Sequence, residues 1–345
     1  MLKPLLALFL LLMLKKLLSS LSALLISIGL LPHKTLAQST NNELPLDLEK
    51  LITATRQIDS GQLTIINHFP SKYVAPRSIR IWLPKQYTDL ASKGDKLAVL
   101  YMHDGQMLFD ASITWNGQEW AADNVAADLI KANNVKPFII VGIDNGGVDL
   151  RRAEYFPQKA FELLSHAQQQ ALYGTMRSDN EKLFGAKVQS DSFLKFVVTE
   201  LKPYIDQHYA VHSNAEHTFM LGSSMGGLIS MYALSEYPKV FGGVACMSTH
   251  WPGKHTLDNN PIPQAFYQYV EQYLPAAGAH KLYFDYGDQT LDALYPALQQ
   301  QVDTLISAKG YDKKHWQTQF FAGAAHTEND WQQRLHIPLI FLLGK

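Results

Sequence analysis

Residues 217–238, HTFMLGSSMGGLISMYALSEYP, give the strongest indication of the fold. Its first five residues, 217–221, are short and mostly apolar, which predicts a buried strand. After Gly222-Ser223-Ser224-Met225-Gly226, apolar side chains recur at helical spacing, and Pro238 ends the predicted helix. The pattern therefore predicts that Ser224 lies on a tight turn between a strand and a helix.

Strand, Gly-x-Ser-x-Gly and helix together form the nucleophile elbow of α/β-hydrolases. Both positions require glycine for a steric reason, because a Cβ at residue 222 or 226 would collide with the neighbouring strand or helix. A glycine-rich loop whose serine caps a helix is the alternative, and the flanking elements favour the elbow. We expect one α/β-hydrolase domain, with a doubly wound, mostly parallel sheet and helices on both faces.

The rest of the chain alternates predicted strands with predicted helices, as a mostly parallel sheet requires. Strands are expected at 63–69, 78–83, 97–102, 137–143, 243–247, 281–285 and 316–321, the first two as antiparallel edge strands. Helices are expected at about 46–56, 119–131, 191–207, 263–273, 291–308 and 331–343. More than forty residues between 143 and 191 break this rhythm, and we expect them to shape the substrate pocket.

The N-terminus resembles a secretory signal peptide. Residues 4–14 and 17–31 are almost all apolar, Lys15 and Lys16 separate them, and small residues precede a break after Ala37. We expect a signal peptide at 1–37 (or starting at Met13), a lead-in segment at 38–62 and a catalytic domain at 63–345. An uncleaved membrane anchor is the alternative, although the apolar run is short for a span. After cleavage we expect a periplasmic or secreted protein without a stable membrane span.

Charge and composition exclude several classes of function. Without the four lysines of the leader, 26 basic and 31 acidic residues remain, with no basic run, so nucleic acid is not an expected partner. The 13 histidines show no recognised metal-ligand spacing, so no metal and no cofactor are expected. The single cysteine, Cys246, lies in an apolar run and predicts a buried thiol.

A serine hydroxyl needs a base and usually an acid that orients the base. In α/β-hydrolases the order is serine, acid, histidine, and His326 follows the last predicted strand after a run of small residues. The acid should follow strand 281–285, where Asp292 is favoured over Asp288. Asp285, Glu328 and a serine–histidine dyad without an acid are the remaining alternatives.

An oxyanion hole needs two backbone N–H donors. One is expected from Met225, directly after the serine, and the other from the loop 103–107 after strand 97–102. His103 and Asp104 in that loop are expected to brace the turn.

Three motifs resemble one family: YMHDGQ at 101–106, GSSMGG at 222–227 and GAAH at 323–326. They are similar to the Putative esterase family, which includes esterase D, enterochelin esterases, bacterial feruloyl esterases and mycobacterial mycolyltransferases. The resemblance covers roughly residues 63–343. It implies Ser224 as nucleophile, His326 as base, and Gln106 and Met225 as oxyanion donors, and it suits Asp292 as the acid.

Enterochelin esterases carry an arginine after the fourth strand, and Arg151 or Arg152 is its candidate match. A surface ion pair of either arginine with Glu154 is the alternative interpretation.

The predicted function is an exported serine carboxylesterase that works through an acyl-enzyme on a small-molecule or saccharide-linked ester. The alternatives are an acyltransferase that passes the acyl group to a sugar or lipid alcohol, and a non-catalytic binding domain. His250 and Trp251 follow strand 243–247 and are expected to line the substrate pocket, with core packing as the alternative.

Overall fold

A computed structural model describes residues 52–345 of the chain, with side chains from residue 54. The predicted signal peptide and residues 38–51 of the predicted lead-in lie outside the described residues. Among the residues that the structure describes, no helix is long and apolar enough to cross a bilayer.

One sheet organises the described chain. Its strands are β1 (Ile52–Ile58), β2 (Gly61–Phe69), β3 (Arg77–Pro84), β4 (Ala98–His103), β5 (Phe138–Ile143), β6 (Thr218–Ser223), β7 (Gly243–Met247), β8 (Lys281–Tyr286) and β9 (Trp316–Phe320). The spatial order is β1-β2-β3-β5-β4-β6-β7-β8-β9. Strands β4 to β9 are parallel to one another, while β1, β2 and β3 are added at one side of the sheet by antiparallel pairing. The predicted doubly wound, mostly parallel α/β sheet is confirmed.

The helices lie in the connections from β3 onward and after β9. They are α1 (Tyr87–Ser92), α2 (Ala122–Lys131), α3 (Arg151–Tyr155), α4 (Gln158–Glu162), α5 (His166–Gly174), α6 (Ser190–Phe196), α7 (Lys202–His208), α8 (Met225–Glu236), α9 (Ile262–Tyr273), α10 (Pro296–Ala308), α11 (Glu328–Arg334) and α12 (His336–Leu343). Short 3₁₀ turns cover Gly105–Met107, Ala111–Ile113, Ala215–His217 and Thr290–Leu294.

The core lies on both faces of the central strands. Every residue of β5, β6 and β7 is buried, which explains why these strands read as continuous apolar runs. Helix α8 is buried from Met225 to Leu234, because it packs on β6 and β7 directly beneath the elbow. Cys246 on β7 is fully buried, and burial raises the pKa of its thiol.

The start of the domain differs from the prediction. The predicted helix 46–56 is wrong for its described part, because β1 begins at Ile52 and pairs antiparallel with β2. The two predicted edge strands, 63–69 and 78–83, are therefore interior strands, since β1 covers β2 on one side and β5 covers β3 on the other.

Three predicted helices are interrupted. The helix predicted at 191–207 contains a π-helical turn, Val197–Leu201, between α6 and α7. The helix predicted at 291–308 begins as a 3₁₀ turn and continues as α10 from Pro296, and the closing helix is divided at Leu335. A proline at the first turn of a helix is well tolerated, which is why α10 begins there.

The long excursion after β5 folds into α3, α4 and α5. Phe156, Phe161 and Phe184 pack edge to face there, with ring centroids 5.2–5.9 Å apart. Edge-to-face packing suits the quadrupoles of aromatic rings, so this excursion has an aromatic core of its own.

Candidate active site

The elbow holds Ser224 in strained backbone geometry. Ser224 joins β6 to α8 at φ 58° and ψ −119°, a conformation that costs a non-glycine residue on the order of 1–3 kcal/mol. Its N–H donates to Met247 O at 2.9 Å, and its carbonyl accepts from His250 N at 3.2 Å. Bonds to the β7 strand and its following loop therefore hold the strained residue in place.

The glycines beside Ser224 allow two backbones to approach. A Cβ at Gly222 would lie 2.7 Å from the backbone of Gly226, and a Cβ at Gly226 would lie 3.3 Å from Cβ of His103. The first distance is far below van der Waals contact, so residue 222 must be glycine for the turn to close.

His326 and Asp292 form a direct pair at the same edge of the sheet. Nδ1 of His326 lies 2.6 Å from Oδ1 of Asp292, which is fully buried. Asp292 lies in the 3₁₀ turn after β8, and His326 lies in the loop after β9. Parallel strands bring their carboxyl ends to one edge, so Ser224, Asp292 and His326 meet there from the connections that follow β6, β8 and β9.

The other acids left open by the sequence have different partners. Asp288 is exposed and accepts from Gly323 N and Gln289 Nε2, both at 2.8 Å. Asp285 accepts from Arg334 Nη2 at 3.0 Å, and Glu328 accepts from Asn116 Nδ2 at 2.8 Å. Of these four acids, Asp292 is the one that bonds the His326 ring.

Asp292 is itself fixed by two donors on its second oxygen. Ser248 Oγ donates to Oδ2 at 2.6 Å, and the Gly287 N–H donates at 2.7 Å. Ser248 Oγ accepts from Trp331 Nε1 at 3.0 Å and from Arg334 Nη2 at 2.9 Å. Two donors on the hydroxyl oxygen leave its own proton to point at Asp292, so this network fixes the direction of the carboxylate.

Tyr295 links the serine to the histidine. Its ring stands edge-on to the His326 ring at 5.8 Å, and its hydroxyl interacts with the Ser224 hydroxyl. The same hydroxyl lies 2.9 Å from Nδ1 of His250. His326 also contacts the Trp331 ring edge to face, with ring centroids 4.9 Å apart, so two aromatic rings pack against the imidazole.

The two predicted oxyanion donors have free amides. Gln106 lies in the 3₁₀ turn that follows β4, and Met225 is the first residue of α8. Within residues 52–345, neither backbone N–H donates a hydrogen bond. First-turn amides of a helix have no partner of their own, so both remain available to a ligand.

The loop that carries Gln106 is braced by an ion pair. Asp104 has left-handed backbone geometry, and its carboxylate accepts two 2.7 Å bonds from Arg151 and one 2.6 Å bond from Asn145. Burial disfavours the charged form, but the Arg151 guanidinium outweighs it and lowers the pKa of Asp104. The predicted bracing role of Asp104 thus has a clear geometric basis.

His103 is a buried, neutral ring. It packs against Tyr155 at 5.0 Å and Phe193 at 5.7 Å, and neither ring nitrogen has a partner among the described residues. Burial lowers the pKa of His103 to about 3. It lacks the basicity to accept a proton near neutral pH.

The interpretation of Arg151 or Arg152 as a surface ion-pair partner of Glu154 is wrong. Glu154 is fully buried and accepts two 2.8 Å bonds from Arg77, while Arg151 binds Asp104. Arg152 is 8% exposed and donates to Gly253 O at 3.2 Å, with Nη1 4.0 Å from Met225 Sδ. Within the described chain it has no acidic partner, and burial lowers its pKa to about 9.

The residues predicted to line the pocket are fully buried. Trp251 donates to Gln299 Oε1 at 2.7 Å and packs on Phe266 and Phe284. This packing favours the core alternative for Trp251. His250 contacts the site through Tyr295 instead, and burial lowers its pKa well below the ordinary value.

Four residues of the site carry no signal that sequence reasoning used: Ser248, Tyr295, Trp331 and Arg334. Ser248 adopts φ 41° at the end of β7, which no local pattern predicts. The other three lie inside or beside predicted helices, where an aromatic or basic residue usually has a packing or solvent role.

A strained serine between a parallel strand and a helix, with a buried aspartate–histidine pair at the same sheet edge, defines the α/β-hydrolase class. Within that class the chain belongs to the family described as Putative esterase, whose model matches residues 74–342.

One curated relative of this chain matches at low sequence identity. An uncharacterized protein of Bacillus subtilis, YbbA, is 24% identical over 176 residues, which cover 51% of this chain and 58% of that protein. The match thus spans little more than half the length of that relative.

Two solved structures are similar in fold. A ferulic acid esterase is 18% identical, with a TM-score of 0.56 over 81% of this chain and 96% of its own. The enterobactin esterase of Shigella flexneri is 16% identical, with a TM-score of 0.54 over 84% of this chain and 60% of its own. At these identities the likeness is one of fold.

Proposed function

We propose that this protein is a serine carboxylesterase that uses Ser224, His326 and Asp292. The observation that carries the proposal is the 2.6 Å bond between His326 Nδ1 and buried Asp292, at the sheet edge where the elbow presents Ser224. Membership of the esterase family and the fold shared with two esterases support ester hydrolysis as the reaction class.

The proposed reaction begins with proton transfer from Ser224 to His326. Because Asp292 accepts from Nδ1, the neutral ring carries its proton there and leaves Nε2 as the basic atom. Ser224 Oγ forms a bond to the ester carbonyl carbon while Nε2 takes the serine proton. The imidazolium then protonates the leaving alcohol as the C–O bond breaks, and an acyl-enzyme remains.

Water completes the cycle. His326 takes a proton from water as the hydroxide attacks the acyl carbon, and it returns the proton to Ser224 Oγ as the acid leaves. In both halves the amides of Met225 and Gln106 stabilise the developing oxyanion, a contribution typically worth about 10²–10³ in rate per donor. No step requires a group beyond the chain, the ester and water.

Hydrolysis of p-nitrophenyl esters from acetate to octanoate, together with methyl ferulate, tests the proposal. Ser224→Ala should lower turnover by about 10³-fold or more, and Ser223→Ala, next to it on β6, is the matched control. Normal turnover by folded Ser224→Ala would refute the assignment. Product analysis with added glycerol or glucose distinguishes hydrolysis from transfer of the acyl group to an alcohol.

Arg152 indicates the charge of the preferred ester. A buried guanidinium without an acidic partner is costly, and an anionic group on the substrate would offset that cost. The protein should therefore prefer mono-p-nitrophenyl succinate over p-nitrophenyl butyrate, which has a similar length and no charge. Arg152→Gln should abolish the preference and leave butyrate turnover within about threefold; an unchanged preference would contradict this role.

Export belongs to the same proposal. The apolar leader, its basic residues and the small residues before Ala37 support a signal peptide and a periplasmic or secreted enzyme. N-terminal sequencing of the exported protein should begin after Ala37, and an intact leader would argue for a membrane anchor.

A further inference from the structure

A cavity lies at the opposite edge of the sheet from Ser224. Its volume is about 820 Å³, and its lining includes residues at the amino ends of the central strands, among them Ala98, Phe219 and Lys281. Ser224, Asp292 and His326 all follow the carboxyl ends of strands. Strands of five or six residues separate the two edges by roughly 15–20 Å, so this cavity, the amino-edge groove, is distinct from the candidate active site.

The amino-edge groove is rich in positive charge. It is lined by five lysine side chains and four histidines: Lys96, Lys136, Lys281, Lys314, Lys345, His212, His217, His280 and His315. Its lining holds two acidic side chains, Asp95 and Glu216. Within residues 52–345, none of the five lysines forms an ion pair.

The basic groups of the groove repel one another. Burial, and then the charge of Lys314, lower the pKa of the half-buried Lys281 ammonium. Burial, His217 and Lys96 lower the pKa of His212, whose ring stacks on His217 at 4.0 Å. Such mutual repulsion is relieved when an anion binds between the groups.

Lys281 has unused hydrogen-bonding capacity. Its Nζ donates to Phe341 O and Leu342 O, both at 3.0 Å, which leaves one of its three protons free. The groove therefore offers an anion a hydrogen bond as well as charge.

Part of the groove is apolar. Half-buried Leu90, Ala98 and Pro137 belong to its lining, together with the nearly buried Leu97, Phe219, Leu342 and Leu343. A small inorganic anion would leave this surface in contact with water, whereas an apolar chain would cover it at a gain of roughly 25 cal/mol per Å². The volume lies within the range of small-molecule pockets.

We propose that the amino-edge groove binds an amphiphilic anion, a carboxylate or phosphate attached to an apolar chain. The anionic head lies among Lys281, Lys314 and His212, and the apolar chain lies on Phe219 and Leu342. This site operates independently of the chemistry at Ser224.

Titration calorimetry with dodecanoate, below its critical micelle concentration, tests the proposal on the exported chain. Dodecyl phosphate should bind as well, while acetate and dodecyltrimethylammonium should bind at least tenfold more weakly, because one lacks the chain and the other the anion. Lys314→Ala and Lys136→Ala should raise the dodecanoate Kd about three- to tenfold each, and Lys281→Met about tenfold. Lys313→Ala, an exposed neighbour outside the groove, is the matched control.

The variants separate this groove from the active site. Ser224→Ala should bind dodecanoate as the wild type does, and the groove variants should hydrolyse p-nitrophenyl acetate normally. Lys281→Met loses two hydrogen bonds to backbone carbonyls. If that variant does not fold, the dodecanoate Kd values of the exposed Lys314→Ala and Lys136→Ala variants still test the proposal. Equal binding by the lysine variants and wild type, or equal binding of the cationic and anionic amphiphiles, would overturn the proposal.

Discussion

Ser248 Oγ donates a 2.6 Å hydrogen bond to the carboxylate oxygen of Asp292 that does not face His326. The hydroxyl also accepts from the Trp331 indole and from Arg334, so it has a single orientation. A residue outside the predicted site thus determines how the acid is presented to the histidine.

Ser248→Ala should lower kcat about tenfold with little change in KM, because Asp292 loses one of its orienting donors while the pocket is unchanged. Steady-state kinetics on p-nitrophenyl butyrate measure this. Thr249→Val is a matched control, since among the residues that the structure describes the Thr249 hydroxyl bonds only the backbone of Cys246. An equal loss of kcat in both variants would indicate a general disturbance of the loop.

Asp292→Asn should lower kcat by about 10³–10⁴, because an amide cannot hold the His326 ring in the tautomer that leaves Nε2 basic. Asp288→Asn should retain activity within about twofold, since Asp288 is exposed and bonds Gly323 and Gln289. The same ester assay measures both. Comparable losses in the two variants would contradict the assignment of the acid.

His103→Phe should make the fold more resistant to acid. The folded-state pKa of His103 is about 3, against about 6.5 in the unfolded chain. Between these values the unfolded state binds a proton that the folded state does not. The free energy of unfolding is therefore highest above about pH 6.5 and decreases as the pH is lowered below that value. The loss is about 1.4 kcal/mol per pH unit.

Urea unfolding of wild type and His103→Phe between pH 7.5 and 4.5 tests this expectation. The phenyl ring keeps the packing on Tyr155 and Phe193 and removes two unpartnered nitrogens. The difference in unfolding free energy should grow in favour of the variant as pH falls. The exposed His166→Phe should follow the wild type, and a constant difference for His103→Phe would rule out this titration.

Gly222→Ala should destabilise the fold by about 1–3 kcal/mol and lower activity, because its Cβ would lie 2.7 Å from the Gly226 backbone. Gly174→Ala is the control, since nothing lies within 4 Å of the added Cβ. Thermal denaturation should show a lower Tm for the first variant alone. A neutral Gly222→Ala would mean that the elbow opens without cost.

The sequence predicted the features that depend on local pattern. The elbow is a contiguous strand, turn and helix, so Ser224, Gly222 and α8 follow from spacing and from the Cβ-free positions. His326 and Asp292 follow from chain order at the ends of parallel strands. Chain order alone could not choose between Asp288 and Asp292, because both follow β8 and only four residues separate them.

Tertiary contacts decided what the sequence left out. Strand β1 was predicted as part of a short helix, and its antiparallel pairing with β2, which no local pattern shows, decides its conformation. Tyr295, Trp331 and Arg334 act through partners 31 to 86 residues away in the chain, so no local period marks them. Arg152 was misassigned because burial, which removes it from a surface pair, is not visible in sequence.

Cys246 gives the protein a practical property. It is the single cysteine of the chain, it lies fully buried on β7, and burial suppresses its thiolate. The folded protein therefore has no native thiol that reacts readily with a labelling reagent. A cysteine placed at exposed Lys314 or Trp115 becomes the one position that a maleimide dye or spin label modifies, so either edge of the sheet accepts a spectroscopic reporter without removal of a native residue.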